Sequence, residues 1–313
     1  MLYEIIFKLP TMKRMAILAA VVTLIIFSSC SGRGKVYHVY YLGGQSNMDG
    51  YGFVSELPAE LNHPVEGVMI YHGNTAEDNA ETDGRGIWNT LQPGHGVGFR
   101  SDGHADYYSD RFGVELSFAV ELKVLDPAEN IAIIKYSKGG TSIDTAAAGG
   151  AGCWFPDFNK GNGINQYDHF MATVKGALAV EDIDGDGRKD RLIPSGIIWM
   201  QGESDANNEY AASVYRKNLG IMIEKIRDAF KAPEMPVVIG RISESHRDID
   251  SIVWTYGDVV RQAQADFVYE DGNAALVIST DNYKYSDPWH YNTEGFIDLG
   301  QQFAEAIVKL QGR

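Results

Sequence analysis

Short apolar runs rich in β-branched residues alternate along this chain with stretches in which apolar residues recur at helical spacing. Runs without polar alternation are typical of strands that are buried on both faces of a sheet. The predicted strands are Val36–Leu42, Ile131–Tyr136, Gly196–Met200, Val237–Ile242 and Ala275–Ser279. The predicted helices are Gly113–Val124, Gln166–Val180, Ala211–Phe230, Gln262–Val268 and Glu294–Leu310, with Asn292 or Thr293 as the N-cap of the last one.

This alternation predicts an α/β fold, a three-layer α/β/α sandwich around a central parallel sheet of about five strands. In such sheets, sites form at the carboxyl ends of the strands. Ser46 follows the first strand, Gly139-Gly140 the second and Gln201-Gly202-Glu203 the third, so we expect these segments to meet at one edge. Two weakly periodic, glycine-rich segments, Tyr71–Phe112 and Ala146–Gly163, are long for plain connections, and we expect both to wall the pocket.

Composition narrows the choice of partners. The chain has 313 residues, 44% hydrophobic and 22% charged, which is ordinary for a globular protein with a full core. Its formal net charge is −15, and a protein of that charge repels phosphate backbones. We therefore expect no nucleic-acid partner and favour a neutral or weakly charged substrate.

The N-terminus predicts export. Lys13 and Arg14 precede the apolar run Met15–Phe27, and small residues then lead to Cys30, as in a secretory signal. A cysteine directly after small residues resembles the bacterial lipoprotein cleavage box, which implies a lipidated Cys30 and a periplasmic or cell-surface location; plain secretion is the alternative. We therefore assign residues 1–30 to a signal peptide and 31–313 to one domain. If Cys30 is lipidated, Cys153 is unpaired, and we expect it to be a buried small hydrophobe.

Three residues have the pattern of a serine hydrolase. Ser46 lies in a Gly-rich turn directly after the first predicted strand, and Asp287 and His290 lie three residues apart near the end of the chain. A serine hydroxyl needs an imidazole to take its proton and a carboxylate to orient that imidazole. We predict Ser46 as nucleophile, His290 as general base and acid, and Asp287 as the residue that orients His290. The alternative is that the serine only forms a turn and that Asp287 only starts one.

Four sequence blocks occur in the order seen in the SGNH (GDSL-like) hydrolases. They are Gly44-Gln45-Ser46-Asn47-Met48, Lys138-Gly139-Gly140-Thr141-Ser142, Trp199-Met200-Gln201-Gly202-Glu203-Ser204-Asp205 and Asp287-Pro288-Trp289-His290. The chain resembles the carbohydrate acetylesterase branch of that family, which includes sialate O-acetylesterases and acetylxylan esterases. The resemblance covers nearly the whole mature chain and implies a flavodoxin-like sandwich.

The resemblance also implies an oxyanion hole made by the backbone N–H groups of Ser46 and Gly140 and the side-chain amide of Gln201. A residue without Cβ at position 140 lets the backbone approach the reacting carbon closely. Gln201 stands where the wider superfamily has Asn, and the carbohydrate esterase branch has Gln there. The alternatives are a flexible loop at Gly139-Gly140 and a polar strand end at Gln201.

Several other residues are candidates for substrate binding. Glu203 and Asp205 can bind sugar hydroxyls or cap a helix start. Asn47 can contact substrate or support Gly140 and Gln201 from within the turn. Aromatic side chains that can stack on a sugar, or belong to the core, are Trp154, Tyr167 and Trp289. A metal pair at His95 and His104 is rejected, because nothing in the spacing of Cys or carboxylates supports catalytic zinc.

One acidic segment resembles the start of an EF-hand calcium loop. Oxygen ligands fall at Asp182, Asp184, Asp186, Asp190 and the carbonyl of Arg188, with Gly187 at the sharp turn. Position twelve of the loop is Ile193, so the bidentate Glu is missing. We predict a structural calcium site, with a plain acidic turn as the alternative, and no catalytic cofactor.

The expected function is removal of O-acetyl groups from carbohydrates, either acetylated xylan-type polysaccharide or sialic acid, through an acetyl-serine intermediate. One rival is a carbohydrate-binding surface lipoprotein on a decayed hydrolase fold. The retained Ser, His and Asp count against it. Another rival is a short-chain lipid or acyl esterase, which calls for a broad apolar groove where this chain has polar, Gly-rich loops.

Overall fold

The computed structural model describes residues 34–81, 83–158, 163–245 and 252–312. The predicted signal segment and Cys30 lie outside the described residues. The strands are β1 Val36–Gly44, β2 Gly52–Phe53, β3 Val68–His72, β4 Trp88–Thr90, β5 Arg100–Ser101, β6 Asp106–Tyr107, β7 Arg111–Phe112, β8 Asn130–Ser137, β9 Arg191–Met200, β10 Val237–Gly240 and β11 Ala274–Val277. The α-helices are α1 Ser46–Asp49, α2 Val114–Leu125, α3 Gln166–Leu178, α4 Glu209–Phe230, α5 Gly257–Asp271 and α6 Thr293–Leu310.

A seven-stranded sheet in the order β11-β10-β9-β1-β8-β3-β4 forms the centre. Its strands pair in parallel except for β4, which runs antiparallel to β3 at the edge. Strand β1 lies between β8 and β9, so the chain places later strands on both of its sides. Crevices at such a position of an open parallel sheet are where ligands bind.

Neighbouring tyrosines of β1 show that helices cover both faces of the sheet. The Tyr40 ring packs on Phe118 of α2 at a centroid distance of 5.3 Å, whereas the next residue, Tyr41, packs on Phe170 of α3 at 5.0 Å. Successive side chains of a strand point to opposite faces, so α2 and α3 lie on opposite sides. The predicted α/β/α sandwich is confirmed. Among the described residues, no helix combines the length and apolar character needed to cross a membrane.

The sheet is larger than the sequence predicts. All five predicted strands are present, but β3 and β4 extend the sheet to seven strands. Strand β3 has only five residues, all of them buried, and its last two belong to the polar segment from Tyr71 to Phe112. A strand this short is hard to recognise beside a polar segment. Helix α5 is longer than predicted, at Gly257–Asp271. Asn292 is the N-cap of α6, and its Oδ1 accepts the Gly295 N–H at 3.0 Å.

Register brings the carboxyl ends of three strands to one level. Gly44 of β1 pairs with Ser137 of β8 and with Met200 of β9. The segments that follow these three strands therefore leave the sheet side by side. This is the arrangement expected from the sequence, and it positions the site.

Candidate active site

The turn after β1 delivers Ser46 to the sheet edge. Gly44 has φ of +147°, and a Cβ there would lie 1.9 Å from the carbonyl oxygen of Met200, so only glycine fits. The next residue, Gln45, donates its N–H to that same oxygen at 2.9 Å. Ser46 then begins helix α1. The close contact between β1 and β9 thus determines where the serine emerges.

The Asp287 and His290 side chains are hydrogen-bonded. His290 Nδ1 lies 2.7 Å from Asp287 Oδ2, and Asp287 Oδ1 accepts the N–H groups of Trp289 and His290 at 2.8 and 2.9 Å. This network assigns the proton to Nδ1, which leaves Nε2 able to accept one. Burial raises the pKa of Asp287, but the hydrogen bonds from His290 and the Trp289 N–H outweigh it, and the net pKa lies below the ordinary value.

Tyr51 also holds the imidazole. Its ring stacks on His290 with a centroid distance of 3.5 Å and an interplanar angle of 5°. This contact was missed from the sequence, where the available signal was an aromatic residue shortly after Ser46. Stacking on one face and the Asp287 bond at one edge together restrict the rotation of the ring.

Ser46 and His290 line one open cleft of about 390 Å³. Within the described part of the chain, neither Ser46 Oγ nor His290 Nε2 has a hydrogen-bond partner. The full set of residues lining the cleft is Gln45, Ser46, Asp49, Tyr51, Val97, Lys138, Gly139, Gly140, Ser204, Asn207, Trp254, Trp289 and His290. Folding therefore brings the Ser46 hydroxyl and the His290 imidazole to the same cleft.

Two backbone donors at this cleft are unengaged. The N–H of Ser46 lies in the first turn of α1, where no helical carbonyl can pair with it. The N–H of Gly140, whose φ is +75°, likewise has no partner among the described residues. Both residues line the cleft, as the predicted oxyanion hole requires.

Gln201, the third predicted oxyanion donor, is bonded to residues behind the cleft. The side chain is fully buried and does not line the cleft. Its Nε2 lies 2.6 Å from Asp205 Oδ2, and 3.2 Å from both Gln45 Oε1 and the Thr141 carbonyl oxygen. An amide has two N–H bonds, and these three acceptors already compete for them. In this structure the side chain braces the loops behind the cleft, and a third oxyanion donor at Gln201 stays a prediction.

Asn47 and Glu203, predicted to bind substrate, contact each other instead. Asn47 Nδ2 donates to Glu203 Oε1 at 2.8 Å and to the carbonyl oxygen of Trp289 at 3.1 Å. Both side chains are buried and neither lines the cleft. Substrate binding by these two residues stays a prediction, and the contacts in this structure are structural ones. Asn47 instead ties the nucleophile turn to the residue preceding His290.

The carboxyl groups behind the cleft have unusual pKa values. Burial raises the pKa of Glu203 to about 7, and its Oε2 is buried without a hydrogen-bond partner. Burial raises the pKa of Asp205 to about 6, although its oxygens accept the N–H groups of Ile143 and Asp144, each at 2.9 Å. Asp205 therefore anchors the loop after β8, which neither of its predicted roles anticipated.

The aromatic candidates separate by burial. Trp154 is completely buried and donates its Nε1–H to Thr141 Oγ1 at 2.9 Å, which fits the alternative of a core residue. Trp289 is 49% exposed and lines the cleft, where a sugar ring can reach it. Tyr167 packs on Phe170 and does not line the cleft. Trp254, which the sequence did not single out, does.

The two predicted wall segments contribute unequally. Tyr71–Phe112 supplies Val97 to the cleft, whereas the described residues of Ala146–Gly163 supply none. Cys153 is buried and unpaired, as predicted. His95 is buried against His72, with 3.3 Å between their Nδ1 atoms, whereas His104 is exposed, so the two candidates for a metal pair lie in different settings.

The acidic loop brings three of its predicted ligands together. Oxygen atoms of Asp182, Asp184 and Asp190 lie within 4.8 Å of one another. Asp184 is already paired with the Lys35 ammonium. Asp186 lies outside this cluster, and its Oδ1 accepts the Arg188 N–H at 3.0 Å. These donors fit a calcium ion in their chemistry, and binding stays a prediction.

Comparison with known proteins agrees with this fold. A segment of 112 residues is 28% identical to the probable carbohydrate esterase At4g34215 of Arabidopsis thaliana, spanning 36% of this chain and 39% of that relative. The solved structure of the Arabidopsis At4g34215 protein superposes with a TM-score of 0.60 at 20% identity, covering 87% of this chain and 98% of that one.

A carbohydrate acetylesterase from Xanthomonas citri superposes equally well, with a TM-score of 0.60 at 18% identity over 88% of this chain and 56% of that one. The family described as carbohydrate esterase, sialic acid-specific acetylesterase matches residues 36–309. Because that match spans most of the chain, the protein belongs to this carbohydrate esterase family and is a carboxylic ester hydrolase.

Proposed function

We propose that this protein removes acetyl groups from carbohydrate hydroxyls through an acetyl-Ser46 intermediate. The observation that carries the proposal is the cleft shared by Ser46 and His290, with Asp287 bonded to His290 Nδ1 and two unengaged backbone N–H groups at the same edge. Membership of a carbohydrate esterase family supports the reaction class.

In the first half of the reaction, Ser46 Oγ attacks the acetyl carbonyl carbon while His290 Nε2 takes the hydroxyl proton. The carbonyl oxygen becomes an oxyanion, which accepts the N–H bonds of Ser46 and Gly140. Asp287 stabilises the imidazolium through Nδ1. When the tetrahedral intermediate collapses, the bond to the sugar oxygen breaks, and His290 returns its proton to that oxygen, releasing the sugar alcohol.

In the second half, water attacks the acetyl carbon of acetyl-Ser46 and gives its proton to His290. The second tetrahedral intermediate passes through the same two backbone donors. Its collapse breaks the bond to Ser46 Oγ, which takes the proton back from His290, and acetate leaves. No metal or cofactor is required to balance these steps.

The shape and polarity of the cleft support a small acyl group on a polar alcohol. Its volume of about 390 Å³ is near the lower end for small-molecule sites, and its lining mixes Trp289 and Trp254 with Ser204, Asn207 and Lys138. A partly exposed indole suits the apolar face of a sugar, and the polar side chains suit its hydroxyls. A long acyl chain would need an extended apolar groove.

The test is acetate release from a panel of acetylated glycans, including acetylated xylo-oligosaccharides and O-acetyl sialic acid, measured by mass spectrometry. Ser46→Ala is expected to lower kcat/KM roughly 10⁴-fold or more. Ser213→Ala is the control, because it removes an exposed serine hydroxyl outside the cleft and is expected to keep wild-type activity. Retained activity in Ser46→Ala, or a preference for long acyl chains over acetyl, contradicts the proposal.

We further propose that the protein is exported and anchored through a lipidated Cys30, on the strength of the N-terminal sequence alone. Cells fed an alkyne palmitate analogue are expected to label the wild type and not Cys30→Ser. Absence of label from the wild type contradicts anchoring and leaves plain secretion.

A further inference from the structure

Asp49 links the nucleophile helix to the loop that leaves β8. It ends α1, three residues after Ser46, and lines the cleft. Its Oδ2 accepts the N–H of Gly139 at 2.7 Å, and its Oδ1 accepts the hydroxyl of Ser137 at 2.5 Å. One carboxylate therefore holds both the last residue of β8 and the first glycine beyond it. Hydrogen bonds to a charged acceptor are the strong ones.

The loop that Asp49 holds is the one that carries Gly140. A Cβ placed on Gly139 would lie 3.2 Å from Ser46 Cβ, so this backbone passes directly beside the nucleophile. Two further bonds pin the loop: the Lys138 N–H donates to the Gly44 carbonyl oxygen at 3.1 Å, and Thr141 Oγ1 donates to the Lys138 carbonyl oxygen at 2.7 Å. Gly139 has no side chain to restrict its backbone, and its own N–H is held by Asp49.

The backbone of Asp49 is itself held by a buried lysine. Lys135 of β8 is fully buried, and its ammonium donates to the Asp49 carbonyl oxygen at 2.9 Å and to Glu115 Oε2 at 2.7 Å. Its third bond goes to the His95 carbonyl oxygen at 2.9 Å. An ammonium has three N–H bonds, and all three have acceptors here, so Lys135 holds the end of α1 in place and has no N–H bond left for a substrate.

From this geometry we infer that Asp49 is a positioning residue, which orders the loop 138–141 so that the Gly140 N–H meets the oxyanion formed at Ser46. Its catalytic consequence rests on the proposed function. Oxyanion donors act because they are fixed before charge develops, and misplacing a reacting group by about 1 Å can cost about 10²-fold in rate. Asp49 does not touch the reacting atoms. It acts through the backbone of Gly139.

The first readout needs no catalysis. Hydrogen exchange at the Gly139 amide, followed by NMR on the isotopically labelled full chain, reports whether Asp49 protects that N–H. Asp49→Ala is expected to speed exchange at least about tenfold, because the acceptor is removed. Asp49→Asn is expected to stay near the wild-type rate, because its Oδ1 can accept the Gly139 N–H while its Nδ2 donates to Ser137 Oγ.

The second readout is turnover of a small acetyl ester. Asp49→Ala is expected to lower kcat about 10- to 100-fold with KM changed less than about threefold, and Asp49→Asn to restore most of the kcat. Ser137→Ala is a graded control that removes one partner of Asp49 but keeps the Gly139 bond, so a smaller loss is expected. Asp110→Ala, an exposed acid whose side chain is 85% accessible, controls for loss of charge.

The outcomes separate the two proposals. Unchanged Gly139 exchange in Asp49→Ala overturns the inference whether or not the protein is an esterase. Faster exchange with unchanged kcat overturns the catalytic consequence. An inactive wild type with faster exchange in Asp49→Ala overturns the proposed function and the catalytic consequence together, while the ordering of the loop stands. If Asp49→Ala fails to fold, Asp49→Asn takes its place: fast Gly139 exchange with unchanged kcat overturns the catalytic consequence, and low kcat with unchanged exchange overturns action through the loop.

Discussion

The residues that line the cleft and the polar residues buried directly behind it come from the same short segments of sequence. Ser46 faces the cleft while its neighbour Asn47 is buried, and Ser204 lines the cleft while Glu203 does not. The residues that line the cleft are arranged to meet a substrate. The buried set is arranged to hold loops together, through bonds such as Asn47 to Glu203 at 2.8 Å. A residue's position beside a cleft residue in the sequence therefore does not tell whether it contacts substrate or holds the surrounding loops together.

The largest expected effect tests the cleft side of this comparison. Asp287→Asn keeps an oxygen for the backbone N–H groups but places an amide N–H against His290 Nδ1, which favours the wrong tautomer. We expect kcat to fall about 10²- to 10⁴-fold with little change in Tm, measured by ester hydrolysis and thermal unfolding. Asp110→Asn, in an exposed acid outside the cleft, is the control. A loss of less than threefold would remove Asp287 from the mechanism.

Two tryptophans allow a residue that stabilises the fold to be distinguished from one that contacts substrate. Trp154→Ala is expected to lower the free energy of unfolding by about 3–5 kcal/mol, because it empties a fully buried site. Trp289→Ala is expected to leave that free energy within about 0.5 kcal/mol, because the residue is 49% exposed, and to raise KM for glycan esters several-fold. Denaturant unfolding and steady-state kinetics measure both. The distinction between the two tryptophans is contradicted if Trp289→Ala lowers the free energy of unfolding, or if Trp154→Ala raises KM without lowering that free energy.

The pH dependence of folding stability tests the buried polar residues, through the Glu203 carboxyl group. Its folded pKa of about 7 exceeds the ordinary value of 4.5, so the folded state binds the extra proton between these values. Stability from this group is fully present below about pH 4.5 and is lost as pH rises through 7. Glu203→Gln stays neutral, so its stability relative to the wild type should rise across this window by up to about 3 kcal/mol.

Unfolding in denaturant between pH 4.5 and 8 measures this difference. Glu181→Gln, in an exposed side chain, is the matched control and is expected to follow the wild-type curve. Asp205, with a pKa of about 6, titrates in the same window, and its charge helps to raise the pKa of Glu203, so the difference between wild type and Glu203→Gln includes this coupling. Parallel curves for the wild type and Glu203→Gln would show that Glu203 carries no buried charge.

The smallest expected effect concerns the acidic loop, outside both regions. Calcium at about 5 mM is expected to stabilise the protein by about 1–2 kcal/mol, which raises Tm by about 2–4 °C, without changing kcat/KM. The effect is small because Lys35 already pairs with Asp184. Asp182→Asn is expected to abolish the shift. Calorimetry that detects no heat on adding calcium to chelator-treated protein would leave a plain acidic turn.

Much of the fold could be predicted because its signals are local. Apolar runs such as Val36–Leu42 and Ile131–Tyr136 reflect burial on both faces of a parallel sheet, and Asn292 is a capping residue read directly from its type. Strand β3 was missed because five residues beside a polar segment carry too little periodicity. The edge strand β4 was missed because its three residues are not apolar enough to stand out.

The sequence by itself determined the family, the α/β order of elements and the residues that can supply a nucleophile, a base and its carboxylate partner. These follow from residue types and from blocks in a characteristic order. Only the tertiary structure decided which of the neighbouring polar groups meet the cleft. It turned Gln201, Asn47 and Glu203 inward, stacked Tyr51 on His290 and brought Asp49 to Gly139. The physical reason is that the direction of a side chain depends on partners that are distant in sequence, and those partners become neighbours only when the sheet has formed.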